Sequence, residues 1–305
     1  MSAAHLAAWR QRGRKVAATP LGHEAFLIDE GDPSAEPDRT VVLLHGFPES
    51  SYSYSGAFGL LEGSFDRIVS FDFIGFGFSD KPAQGFGYSL IEQADLALAL
   101  LRESGVTGAH FVAHDMGDSV LTELLARFNH DLPGWFTPGP LSVTFTNGSM
   151  ILDDARLRVG QRALVSPAGR FLARIADSPT IFEKQVVSAQ GNDRLTEDQI
   201  LDMYSASTSG APKGLSAELI GYLRERRRFE KPRWLPAVRD CEWPVHFSWG
   251  ADDAVAPVAI AERLKREVKP EAELTITEGL GHFAQIQDPE RWYGALAPFW
   301  ERLRD

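Results

Sequence analysis

Short β-rich runs alternate with helix-spaced segments along most of this chain, and the alternation stops for about ninety residues between two of the runs. Residues 39–44 (R-T-V-V-L-L) and 67–71 (R-I-V-S-F) each enter a glycine-containing loop, as buried parallel strands do. Residues 109–113, 141–146, 245–249 and 274–277 repeat that pattern. Residues 88–103 carry Leu90, Ala94, Ala97, Leu98 and Leu101 at helical spacing and end at Ser104-Gly105, a C-cap signal. Residues 118–128 form a second helical stretch with Val120, Leu121, Leu124 and Leu125 as its inward stripe. Such an order predicts an α/β fold with a mainly parallel sheet and helices on both faces. The interruption predicts an inserted helical cap at 148–236 with helices at 154–165, 179–189, 196–205 and 216–228, so that 1–147 and 237–305 form the core.

Composition removes several function classes. With 31 Lys+Arg against 42 Asp+Glu the net charge is -11, which argues against a nucleic-acid partner held by bulk positive charge. A block at 224–233 (R-E-R-R-R-F-E-K-P-R) is locally basic and is expected to be a solvated helix end. The single cysteine, Cys241, permits no internal disulfide and is expected to be a buried thiol. No apolar run has the length of a membrane span, and the N-terminus lacks the apolar core of a secretory signal, so a cytoplasmic protein is expected.

The chemistry concentrates at Ala113-His114-Asp115-Met116-Gly117, between a strand and a helix. A sharp turn with small residues two before and two after its centre has the form of the nucleophile elbow, usually written G-x-S-x-G. Its centre here is Asp115, whose carboxylate, once partly desolvated, can attack carbon to form an ester; the competing reading is a helix cap. Asp253 in G-A-D-D and His282 in G-L-G-H-F follow later strands in the order nucleophile, acid, histidine. His282 would deprotonate water while Asp253 holds its tautomer; Asp252 is the rival acid. Backbone N–H groups of Phe47, in H-G-F-P, and Met116 would form the oxyanion hole. Asp118 is expected to cap its helix, and His114 to pack beside the elbow.

These residues, with F-D-F-I-G-F-G-F-S-D-K-P, H-D-M-G-D and R-R-R-F-E-K-P-R-W, resemble the α/β-hydrolase superfamily. The likeness is to its epoxide hydrolase and haloalkane dehalogenase branch, closest to the mesoderm-specific-transcript-like group. It implies an aspartate nucleophile at Asp115, with Asp253 as acid, His282 as base and a cis Phe47–Pro48 bond. It also implies a lid tyrosine that protonates the epoxide oxygen, carried to Tyr222 and, as a weaker second, to Tyr204. Haloalkane dehalogenases place Trp after the nucleophile and a polar side chain in the first loop. Met116 and Phe47 stand at those places and donate no such hydrogen bonds, which disfavours halide release unless a lid side chain such as Trp234 substitutes. The expectation is therefore a cofactor-independent epoxide hydrolase giving a vicinal diol. The alternatives are a haloalkane dehalogenase, an ordinary esterase, and a binding protein with little turnover. Phe47, Met116 and Phe283, with Phe76 and Phe78 nearby, are the expected contacts for a small apolar substrate. No metal or cofactor motif stands out, since G-F-G-F-S lacks the G-x-G-x-x-G spacing, and a homodimer is left open.

Overall fold

The computed structural model describes residues 2–175, 178–192 and 194–304. The strands are β1 (Arg14–Ala17), β2 (Glu24–Gly31), β3 (Thr40–Leu44), β4 (Arg67–Phe71), β5 (Gly108–His114), β6 (Gly139–Thr146), β7 (Val245–Gly250) and β8 (Glu273–Thr277). They form one sheet in the order β1-β2-β4-β3-β5-β6-β7-β8, with β1 and β2 antiparallel to their neighbours and the remaining pairs parallel. The six strands read from apolar runs are all present. β1 and β2 were not anticipated, because R-K-V-A is short and polar and E-A-F-L-I-D-E-G ends in charge at the outer side of the sheet.

Each central strand feeds two cores, as its two-residue period requires. Val42 and Leu44 enter one cluster with Phe111 and Trp249, whereas Val41 and Leu43 enter another with Trp9, Phe58 and Trp300. The helix Leu90–Glu103 starts at a capping box, Ser89 accepting from the Ile91 N–H while Glu92 accepts from the Ser89 N–H, and Gly105 follows its end at φ 66°.

Between β6 and β7 the described residues form no strand. Helices occupy Val159–Val165, Gly169–Ile175, Pro179–Gln190, Glu197–Thr208, Ser216–Leu219 and Tyr222–Phe229. The expected helix from 154 begins only at Val159, and the helix Gly169–Ile175 was missed. The expected helix 216–228 breaks at Ile220-Gly221 into two pieces. Parallel register places the ends of β3, β5, β6 and β7 at one edge of the sheet, so the loops after Leu44, His114, Thr146 and Gly250 open on the same side.

Candidate active site

Asp115 lies between β5 and the helix Met116–Phe128 with φ 48°, a left-handed conformation costly for a side chain with a Cβ. The turn can close because a Cβ on Gly117 would stand 2.5 Å from the Leu44 carbonyl oxygen, and a Cβ on Gly46 would stand 2.8 Å from the Asp115 Cβ. Only glycine fits those two approaches. Asp115 is buried and makes no side-chain cap to its helix, contrary to the competing cap reading. Its Oδ2 instead accepts from the Phe47 backbone N–H at 3.0 Å. Met116 opens the helix, where a backbone N–H has no intrahelical acceptor, and the Phe47–Pro48 bond is cis.

The His282 ring approaches Asp253 through Nδ1 at 2.8 Å from Oδ2, while Oδ1 accepts from the Val255 and Ala256 N–H groups at 2.7 and 2.8 Å. Asn147, at φ 53° after β6, donates to the same Oδ2 at 2.7 Å and accepts from the Gly250 N–H at 3.1 Å. The carboxylate is thus fixed by four donors, and Asp252 lies outside, exposed and hydrogen-bonded by Asn192. Burial disfavours the His282 imidazolium, but the charge and hydrogen bond of Asp253 and the charge of Asp115 outweigh it and raise the His282 pKa. The His282 N–H donates to the Gln190 carbonyl and the Phe283 N–H to the Gln190 side chain, so the last turn of Pro179–Gln190 pins the histidine loop.

Tyr222 is fully buried, its ring centroid 6.1 Å from that of Phe47, and lies within reach of the Asp115 charge. Burial, then the Asp115 charge and hydrogen bonding to it, hold the phenol well above its ordinary pKa, so it stays protonated. Tyr204 has no hydrogen bond to Asp115 and lies edge-on to Phe182, ring centroids 5.4 Å apart. In the basic block Arg224, Arg227, Arg228, Lys231 and Arg233 are exposed as expected, whereas Arg226, four residues past Tyr222 on the same helix face, is 2% exposed. Asp118 does not cap its helix. It is wholly buried, its Oδ1 accepting from the Thr146 N–H at 3.4 Å, and burial raises its pKa well above normal against the opposing pull of Arg226. Trp234 donates to Glu123 at 3.0 Å, behind the helix Met116–Phe128, and so holds no leaving group at Asp115. Phe283 packs edge-on against His282, and Phe78 packs on Phe26, away from the site. Cys241 is buried, as expected, and burial pushes its thiol up to about 11.

Sequence reasoning missed a buried pair under the elbow. His114 directs Nδ1 at Glu49 Oε2, 2.5 Å away, and Nε2 at the His282 carbonyl, 2.9 Å away. A carbonyl only accepts, so Nε2 carries a proton. Glu49 also accepts from the Gly46 N–H and from Gln285, which favours its carboxylate and places the second proton on Nδ1. Burial opposes that imidazolium, but the charge and hydrogen bond of Glu49, with the charge of Asp115, push His114 up to about 9. The pair joins the loop carrying Phe47, the Asp115 turn and the His282 loop. The signal was present as the E of H-G-F-P-E-S and the H before Asp115.

Two cavities share Phe47, Pro48 and Gln185 as lining residues, one of about 240 Å³ also lined by His282 and Phe283 and one of about 100 Å³ also lined by Tyr204 and Phe76. Among the described residues no group of three or more His, Cys, Asp or Glu side chains could hold a metal ion. No described helix is long and apolar enough to cross a membrane.

A family model described as alpha/beta hydrolase fold matches residues 39–289. LipZ of Mycobacterium tuberculosis is 36% identical over 285 residues, covering 93% of this chain and 94% of the relative. The mesoderm-specific transcript homolog protein of Homo sapiens is 31% identical over 303 residues, covering 96% and 87%. Among solved structures, the haloalkane dehalogenase DbeA-M1 loop variant from Bradyrhizobium elkanii superposes with a TM-score of 0.75 at 20% identity, covering 96% of this chain and 97% of that one. With the sheet, the elbow and the family match in agreement, the chain belongs to the α/β-hydrolase superfamily and is a hydrolase of that fold.

Proposed function

We propose that the protein is a cytoplasmic, cofactor-independent epoxide hydrolase working through an alkyl-aspartyl ester, with 148–236 as its cap. The observation that carries this reading is the buried Asp115 carboxylate held at the apex of the elbow at φ 48° and bonded by the Phe47 N–H, with buried Tyr222 near enough for the Asp115 charge to act on its phenol. An Asp115 oxygen attacks an epoxide carbon, the C–O bond of the ring breaks, and the released oxygen takes the Tyr222 proton. His282 then removes a proton from water, which attacks the ester carbonyl. The oxygen negative charge that develops there falls on the carboxyl group already bonded by the Phe47 N–H, with the Met116 N–H as the second donor. Collapse expels the alkoxide, which takes the attacking water's remaining proton from the re-formed carboxyl group, so that a vicinal diol leaves and the Asp115 carboxylate is restored; the proton on His282 returns to the Tyr222 phenolate through solvent.

Halide displacement by the same carboxylate has less support, because Met116 and Phe47 offer no side-chain donor and Trp234 is committed to Glu123. The binding-protein reading has no use for an acid held by four donors beside a base. A single turnover of styrene oxide in oxygen-18 water tests the proposal. First-turnover diol carrying unlabelled oxygen taken from Asp115 is expected; diol labelled from solvent at once, or halide release from bromobutane with no diol from any epoxide, would overturn it.

A further inference from the structure

The two cavities differ in charge. Among the described residues no charged side chain lines the smaller one, where Phe76, Leu164, Phe182, Leu215 and Leu219 supply the apolar walls. The larger, which runs from His282 to the cap, is lined by Arg158 and Lys184 and, among the described residues, by no Asp or Glu. Half-buried Arg158 donates to the Ser188 hydroxyl at 2.9 Å and the Ala254 carbonyl at 3.5 Å, both neutral, and among the described residues neither Arg158 nor Lys184 forms an ion pair. The setting matters because the whole chain is anionic, at -11, while 148–236 holds fourteen Lys and Arg against eleven Asp and Glu. A cation partly removed from water with only neutral acceptors is an unmet attraction for an anion.

We propose that the larger cavity is an anion-binding arm of the active site, so that the substrate carries a hydrocarbon arm and, on the other side of the reacting carbon, a carboxylate held by Arg158 and Lys184. This rests on the epoxide reading above. The cavities lie on either side of Phe47, which lines both and whose N–H is bonded to Asp115, so a chain attacked at Asp115 would extend one arm toward each. Asp115 repels a carboxylate close by, and the cap end of the larger cavity keeps the substrate anion away from it. Arg158 presents a planar guanidinium suited to a carboxylate, and Lys184 adds a second charge at the exposed rim. The anion takes no part in bond making; it sets which arm points which way.

The test uses His282→Gln protein, in which the aspartyl ester accumulates, with three probes: epoxystearic acid, its methyl ester and styrene oxide. Intact mass follows the labelling rate. The acid is expected to label about tenfold faster than the ester. Adding Arg158→Gln and Lys184→Gln should bring the acid down to the ester rate and leave styrene oxide unchanged, which also reports an intact fold. Equal rates for acid and ester, a preference that survives the added substitutions, or labelling by styrene oxide alone would overturn the anionic arm and leave the epoxide reading standing. Labelling by none of the three would remove the epoxide reading and this inference with it.

Discussion

Glu49→Gln removes the negative half of the buried pair beneath the elbow while keeping its shape, and the consequence follows from the protons of His114. Folding moves this histidine from 6.5 to about 9, which is worth about 3 kcal/mol. Because the folded value is the higher one, that stabilisation is complete below about pH 6.5 and fades as pH rises through about 9. With glutamine at 49 the imidazolium loses its counter-charge, so the variant forfeits this contribution, close to the cost of about 3–5 kcal/mol for breaking a buried pair. Urea unfolding of wild type and variant from about pH 6 to about pH 10 reads the difference directly. Other groups that titrate in this range, Lys81 among them with burial lowering it to about 8, cancel in the subtraction. The stability gap should be about 3 kcal/mol at the acid end and close toward the alkaline end. A gap that stays constant over the whole range would show that His114 is not the cation its two acceptors require.

Other consequences are equally open to measurement. Tyr222→Phe should slow epoxide opening about a hundredfold or more while leaving thermal unfolding nearly unchanged; labelling of the His282→Gln form at the wild-type rate would remove Tyr222 from the chemistry. Gly117→Val should destabilise by about 2 kcal/mol or more, since its Cβ meets the Leu44 carbonyl oxygen at 2.5 Å, and a calorimetric midpoint equal to wild type would contradict the close approach. If His282 is the base, as proposed, it acts only when neutral, and its raised pKa predicts that hydrolysis of the proposed ester increases with pH through a midpoint above the ordinary histidine value. Asp253→Asn should move that midpoint down; an unmoved midpoint would mean that Asp253 does not set the base.

What the sequence disclosed, and what it hid, follows from how local each signal is. Buried parallel strands such as T-V-V-L-L are continuous apolar runs, so six strands and their order could be read directly. β1 and β2 are antiparallel, and β1, at the sheet edge with one buried residue in four, lacks any such run. The elbow was legible because its glycine and aspartate lie within five residues, and the structure brings Asp115, Asp253, His282 and Tyr222 to one edge. The partners that fix them were hidden because they act across the chain: Asn147 reaches Asp253 across 106 positions, and Gln285 reaches Glu49 across 236. The basic block is solvated as expected except at Arg226, and that exception was hidden for a related reason. Charge in a sequence reads as solvated, yet Arg226 points inward where Asp118 and Asp115 draw it electrostatically, and Arg233 pairs with Glu123.

The central claim is that Asp115 is a nucleophile that becomes esterified. Intact-protein mass of His282→Gln after mixing with styrene oxide tests it most directly, because without the base the ester has no route to hydrolysis. The account predicts a gain equal to one whole epoxide, located on the peptide carrying Asp115 and absent when Asp115→Asn is added. An unmodified mass under conditions where wild type turns the same epoxide over to diol, or an adduct that survives Asp115→Asn, would contradict it.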